Sequence, residues 1–244
     1  MSRIKQPAGI KGSLKYIQNL INNYPEIVNS CISNNFKDFA NEKIEWLSPI
    51  KNDDYAEYRD SSFIKLLGLN TNEIQLEKFW PKGGPQWDAL AKTESGKVIL
   101  VEAKANISEI SSSGTKAKKP QSIELIQKSL TEVKQFLEII NDIDWSKKYY
   151  QYTNRIAHLY YLRKVCKKEV YLINIYFVND KYHISTAKHE FELAIEKLKM
   201  RFGIETHQLD SFMCEIFIDV NELETKVALA EISTGNQSTN TTSK

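Results

Sequence analysis

The apolar positions along the chain change period several times, and those changes divide it into elements. Val98 to Val101 is wholly apolar and runs on into Glu102, Ala103 and Lys104. Upstream, Pro85-Gln86-Trp87-Asp88-Ala89-Leu90 forms a second short run, and Glu94-Ser95-Gly96 breaks the two apart. This pattern predicts a β-hairpin with a three-residue loop, Gly96 taking the left-handed position. Thr93 then faces Lys97, and counting back sets Asp88 opposite Glu102. A two-residue loop would slip the register by one and turn Asp88 to the other face. Alternation places Leu100, Glu102 and Lys104 on one face and Ile99, Val101 and Ala103 on the other. Val170 to Val178 is a nearly continuous β-prone run that suits a strand covered on both faces. Residues 73–80 alternate polar and apolar and predict a first strand; residues 212–220 predict a last one.

Helical spacing accounts for most of the remainder. Leu14, Ile17, Leu20 and Ile21 predict one helix ending at Tyr24-Pro25, Ile27, Cys31 and Ile32 a second, and Phe36, Phe39, Ala40 and Ile44 a third. Residues 1–50 therefore read as an N-terminal helical extension whose apolar stripes pack on the core that follows. A helix over residues 53–69 begins at Asp53-Asp54 and stops at Gly68, with Glu57 on it. Residues 121–141 give the clearest helix, through Ile126, Leu130, Val133, Leu137 and Ile140. Residues 145–164 and 188–200 predict two more. The expected class is α/β, a mixed central sheet flanked by helices over residues 51–232. The tail, 233–244, is polar and reads as disordered.

Composition narrows the function classes without choosing one. The chain has 244 residues, 41% hydrophobic and 26% charged, ordinary values for a globular protein. It has no apolar run of membrane-spanning length and no signal-peptide core in Met1 to Pro7. Three widely spaced cysteines point to reduced thiols in a cytoplasm. The four histidines lack zinc spacing. No Gly-Lys-Ser/Thr phosphate loop, Gly-x-Ser-x-Gly elbow or Gly-x-Gly-x-x-Gly fingerprint is present. A net charge of +2 means that any basic surface is local.

Such surfaces can be named. Residues 147–168 carry seven Lys or Arg and no acid, interleaved with tyrosines as phosphate contact and base stacking require; a tyrosine core with solvated cations fits as well. Gln151, Asn154, Arg155 and His158 lie at spacings of three and four and share one helical stripe, and a polar stripe of this kind beside an active site is expected to touch substrate. The Ser-rich stretch 111–120 reads as a mobile loop, either a floppy connection or a flap whose Lys116, Lys118 and Lys119 meet phosphates.

The costly feature is the charge within the hairpin. Asp88 and Glu102 at opposed positions repel unless a divalent cation lies between them. Asp88, thirteen residues, then Glu102-Ala103-Lys104 resembles the Asp…(Asp/Glu)-x-Lys signature of the restriction-endonuclease-like, or PD-(D/E)xK, nuclease superfamily. The Tyr150 to Tyr160 segment is also similar to one that accompanies such a hairpin in bacterial endonuclease-like proteins. Trp87 stands where many members have a proline directly before the Asp; here the proline is Pro85. The resemblance implies that Asp88 and Glu102, with the Ala103 carbonyl, hold Mg²⁺ (or Mn²⁺), and that Lys104 positions the attacking water. It implies a further carboxylate from the preceding helix, for which Glu57 is the candidate; a solvated surface role for Glu57 stands beside it. The expected activity is metal-dependent hydrolysis of nucleic acid, DNA first, in defence or repair, by a homodimer if both strands are cut. The rivals are a catalytically silent nucleic-acid-binding or protein-interaction module and a structural partner in an assembly.

Overall fold

A computed structural model describes residues 2–225; the tail assigned to 233–244 lies outside them. In chain order the elements are β1 (Arg3–Ile4), α1 (Gly12–Asn23), α2 (Pro25–Asn35), β2 (Ile44–Ser48), β3 (Glu57–Tyr58), α3 (Asp60–Leu66), α4 (Leu76–Phe79), β4 (Ala89–Thr93), β5 (Val98–Lys104), α5 (Ile107–Ile110), α6 (Pro120–Phe136), α7 (Tyr150–Tyr160), β6 (Val170–Val178), α8 (Lys188–Phe202) and β7 (Met213–Asp219). Among the described residues no helix is long and apolar enough to cross a membrane.

The centre is a mixed five-stranded sheet in the order β2-β4-β5-β6-β7. The β2–β4 and β4–β5 pairs are antiparallel, β5–β6 and β6–β7 parallel. Parallel neighbours need a crossover; α6 and α7 supply it before β6, α8 before β7. The hairpin has the anticipated register, Ala89 on Val101 and Lys92 on Val98. Its loop closes through Thr93 N–H to the Lys97 carbonyl at 2.9 Å, with Gly96 at φ +90°, a conformation costly for any residue with a Cβ.

Alternation on the central strands feeds two cores. Leu90, Val98, Leu100, Leu172 and Tyr176 face α3, α6, α7 and α8. Ala91, Ile99, Val101, Ile173 and Phe177 face Tyr16, Ile17 and Leu20 of α1 and Val28 and Ile32 of α2. All nine residues of β6 are buried, as a strand covered on both faces requires. Residues 1–50 thus cover one whole face of the sheet and supply its edge strand β2.

Four segments differ from the sequence expectation. Residues 36–44 form no third helix: a single 3₁₀ turn covers Lys37–Phe39, extended Phe36 before it and Phe39 on it meet Tyr171 edge-on at 5.0 and 4.8 Å, and Ile44 opens β2. Residues 53–69 do not form one helix, because Asp54, Tyr55 and Asp60 take positive φ and break it. Glu57 accordingly lies on the short strand β3, paired with β1, and not on a helix. Residues 73–80 form one turn of helix, α4, whose Leu76 and Phe79 are buried. The 121–141 helix ends at Phe136; Glu138 turns left-handed and Ile140 is solvent-exposed.

Candidate functional site

β4 begins at Ala89, so Asp88 lies one residue beyond the ladder. Its N–H still reaches the Val101 carbonyl at 3.2 Å, but its side chain turns along β5 and accepts the N–H of Ala103 at 2.7 Å. Asp88 therefore caps the amide edge of β5 where β4 no longer pairs with it, and does not confront Glu102 squarely across a ladder. Val101 turns its carbonyl toward the Asp88 side, and alternation aims the Ala103 carbonyl the same way. Beside this edge, Trp87 N–H donates to the Tyr58 carbonyl at 3.1 Å. That bridge fastens β3 to the hairpin and brings Glu57 next to Gln86.

Glu102 carries a cation on each oxygen. Lys104, two residues on and on the same face, binds Oε1. Arg155 of α7 binds Oε2, Nε at 2.6 Å and Nη2 at 2.5 Å. The guanidinium is further held by the Gln86 carbonyl at 2.8 Å and Asn154 Oδ1 at 2.9 Å, and it lies 4.9 Å from the centre of the Trp87 ring. Glu57 Oε2 accepts from two amides, Gln86 and, at 2.9 Å, Gln6.

The electrostatics follow from these partners. Burial, and then the charge of Glu102, push the Asp88 carboxyl up to about 8. Burial also raises Glu57, whose Gln86 and Gln6 bonds only partly offset it. Burial works against the Glu102 anion, but Arg155 and then Lys104 hold its pKa below the usual range. Burial likewise opposes the Lys104 ammonium, yet Glu102 and Asp88 hold its pKa above the ordinary value. Lys104 is thus a fixed cation, suited to steadying negative charge and unsuited to taking a proton.

These groups floor an open cleft of about 980 Å³. Glu57, Asp88, Glu102, Ala103, Lys104, Gln151, Asn154, Arg155, Lys116, Lys118 and Lys119 all line it. His158 does not. It lies one turn further along α7, fully buried, its Nδ1 2.8 Å from the Asn154 carbonyl. Its ring is surrounded by Phe79, Trp80 and Trp87, and Gly84 approaches so closely that a Cβ there would sit 3.5 Å from Nε2. Burial pulls its pKa down to about 3, so it is a neutral core residue.

The stretch 111–120 is not a loose flap. Thr115 N–H bonds the Ser146 carbonyl, Tyr149 N–H bonds the Ser112 carbonyl and Gln151 N–H bonds the Ser112 hydroxyl, all at 2.8–2.9 Å. These bonds pin the segment against the approach to α7, and they place its three lysines along the cleft wall. Sequence reasoning overlooked Arg59, Lys82, Gln86 and Gln6. The loop holding Lys82 is fixed by Asp60, whose carboxylate accepts the N–H groups of Gly83 and Gly84, both at 3.0 Å. Gln86 shares the parity of Asp88, a signal that could have found it; nothing in the sequence points to Gln6.

For a hard divalent ion the donor set is chemically apt. It is all oxygen, and Asp88 Oδ1 has no protein donor among the described residues. Glu102 is already committed to its two cations, and no group of three His, Cys, Asp or Glu side chains gathered to hold a metal occurs among the described residues. Comparison with family models, curated proteins and solved structures finds no match to this chain.

Proposed function

We propose that the chain is a metal-dependent nuclease of the restriction-endonuclease-like class, acting on the phosphodiester backbone of nucleic acid, with DNA as the first substrate to try. One observation carries this reading. The cleft gathers Arg59, Lys82, Lys104, Lys116, Lys118, Lys119 and Arg155 against only Glu57, Asp88 and Glu102. In a chain of 33 basic and 31 acidic residues, that is a strong local excess of positive charge around an acidic floor. A polyanion is drawn to such a wall, and an acidic floor beneath it suits a Mg²⁺ or Mn²⁺ ion.

Asp88 and the Ala103 carbonyl, with Glu57 on the same cleft floor, would hold the ion. When bound, the ion lowers the pKa of a water and offsets charge on the scissile phosphate. Lys104 sits on Glu102 as a permanent cation and steadies the charge that develops on the phosphoryl oxygens. The lysines of residues 116–119, with Lys82 and Arg59, bind the flanking phosphates. Gln151 and Asn154 offer amide contacts to sugar or base. The test is incubation of plasmid, single-stranded DNA and RNA with Mg²⁺, Mn²⁺ or EDTA. Cleavage that needs the metal and falls by about 10²–10³-fold in Lys104→Ala supports the reading; equal cleavage by wild type and variant overturns it.

A second reading, a nucleic-acid-binding module without turnover, is favoured by the double cation on Glu102. It predicts binding that persists in EDTA and no cleavage with any divalent ion.

A further inference from the structure

The three carboxylates on the cleft floor are not neutralised alike. Glu102 has Lys104 on one oxygen and Arg155 on the other. Glu57 is held by neutral amides, and Asp88 by a backbone N–H. Arg155 is 4% exposed, and its bonds to Asn154 Oδ1 and the Gln86 carbonyl, with the Trp87 ring beneath, fix its guanidinium from three further directions. A swing away from Glu102 would break all of these contacts and leave a buried carboxylate half paired.

We infer that Arg155 is a built-in second cation, and that the site loads a single divalent ion on the Asp88 side of the floor. This rests on the metal-dependent reading above. In a two-ion site both metals share carboxylates and lie about 3.5–4 Å apart. Here a planar, permanently charged fork already occupies Glu102 Oε2 and Lys104 occupies Oε1, so neither oxygen is free to be shared between two ions. Arg155 is therefore a positioning residue: it orients Glu102, and through Glu102 the Lys104 ammonium.

The full chain is titrated with Mn²⁺ alone, free ion being counted by electron paramagnetic resonance and heat by calorimetry. One equivalent per chain is expected. Two equivalents overturn the inference and leave the metal-dependent reading standing; no binding up to millimolar Mn²⁺ removes both. Arg155→Gln keeps an amide donor and drops the charge, whereas Arg155→Lys keeps the charge. A second equivalent is expected in a folded Arg155→Gln, and one in Arg155→Lys. A folded Arg155→Gln that still takes one equivalent overturns the replacement of a cation. If Arg155→Gln does not fold, the wild-type count decides.

Discussion

Asp88 takes the backbone N–H of Ala103 at 2.7 Å, one residue past the point where the hairpin ladder stops. A carboxylate here serves as the missing partner strand for one amide while its other oxygen faces the cleft. The sheet edge and the candidate chemistry therefore share a single side chain.

That position sets a pH dependence. The Asp88 carboxyl is pushed up to about 8, chiefly by burial and then by Glu102, from an unfolded value of about 3.9. The folded state binds the proton more tightly, so this contribution to stability is complete below about pH 4 and is lost as pH rises through about 8. Asp88→Asn cannot lose it. Thermal unfolding followed by circular dichroism should show the variant gaining on wild type from pH 4 to pH 8; a difference constant with pH would refute the assignment.

Arg155→Ala leaves Glu102 Oε2 buried without its main partner. Removing one member of a buried pair costs about 3–5 kcal/mol, and urea unfolding should register a loss of that order. A change below about 1 kcal/mol, the value of an exposed pair, would mean that the guanidinium does not hold Glu102 in solution.

His158 should be silent in the physiological range. Its folded pKa is pulled down to about 3 by burial, below the unfolded value of about 6.5. Its contribution to stability is complete above that unfolded value and is lost as pH falls toward 3. In a proton NMR titration the His158 ring resonance stays constant between pH 5 and 8, and a midpoint near 6.5 would contradict the buried placement.

Lys116, Lys118 and Lys119 lie on the cleft wall. Each duplex phosphate contact contributes about 0.9 to the slope of log affinity against log salt. Replacing all three by alanine should lower the slope by up to about 2.7, as read by fluorescence anisotropy of a labelled duplex across a salt series, and leave the thermal unfolding midpoint unchanged. An unaltered slope removes these lysines from the interface.

The central hairpin was legible because a long apolar strand, a left-handed Gly96 and strict alternation all point to one register. β6 was legible because nine consecutive buried residues have no competing period. Glu57 reaches the cleft from the short strand β3, and its element is not legible in the sequence. Its surroundings are held by positive φ at Asp54, Tyr55 and Asp60 and by pairing with Arg3 and Ile4, some fifty residues away, and neither leaves a local pattern. The stripe from Gln151 to His158 is legible as one face of a helix, because its spacings of three and four are those of α7. The sequence does not say how far along that face the cleft extends, and it ends between Arg155 and His158 because Gly84 and Trp80 close over the last turn. Residues 36–44 and 73–80 are too short for period to separate one turn of helix from an edge strand.

From Val98 to Val101 β5 is bonded on both sides, by β4 and by β6; beyond that β6 and the Asp88 carboxylate hold it, and the strand feeds both cores. Doubly paired amides exchange through the largest openings of a fold, and Glu102 and Lys104 continue that stretch along β6. The lysine-bearing wall is fastened by a few bonds to a single neighbouring segment, and its amides exchange through a smaller, separate opening. The wall of the cleft is thus tied less firmly than its floor, where Glu102 and Lys104 stay in register with β6.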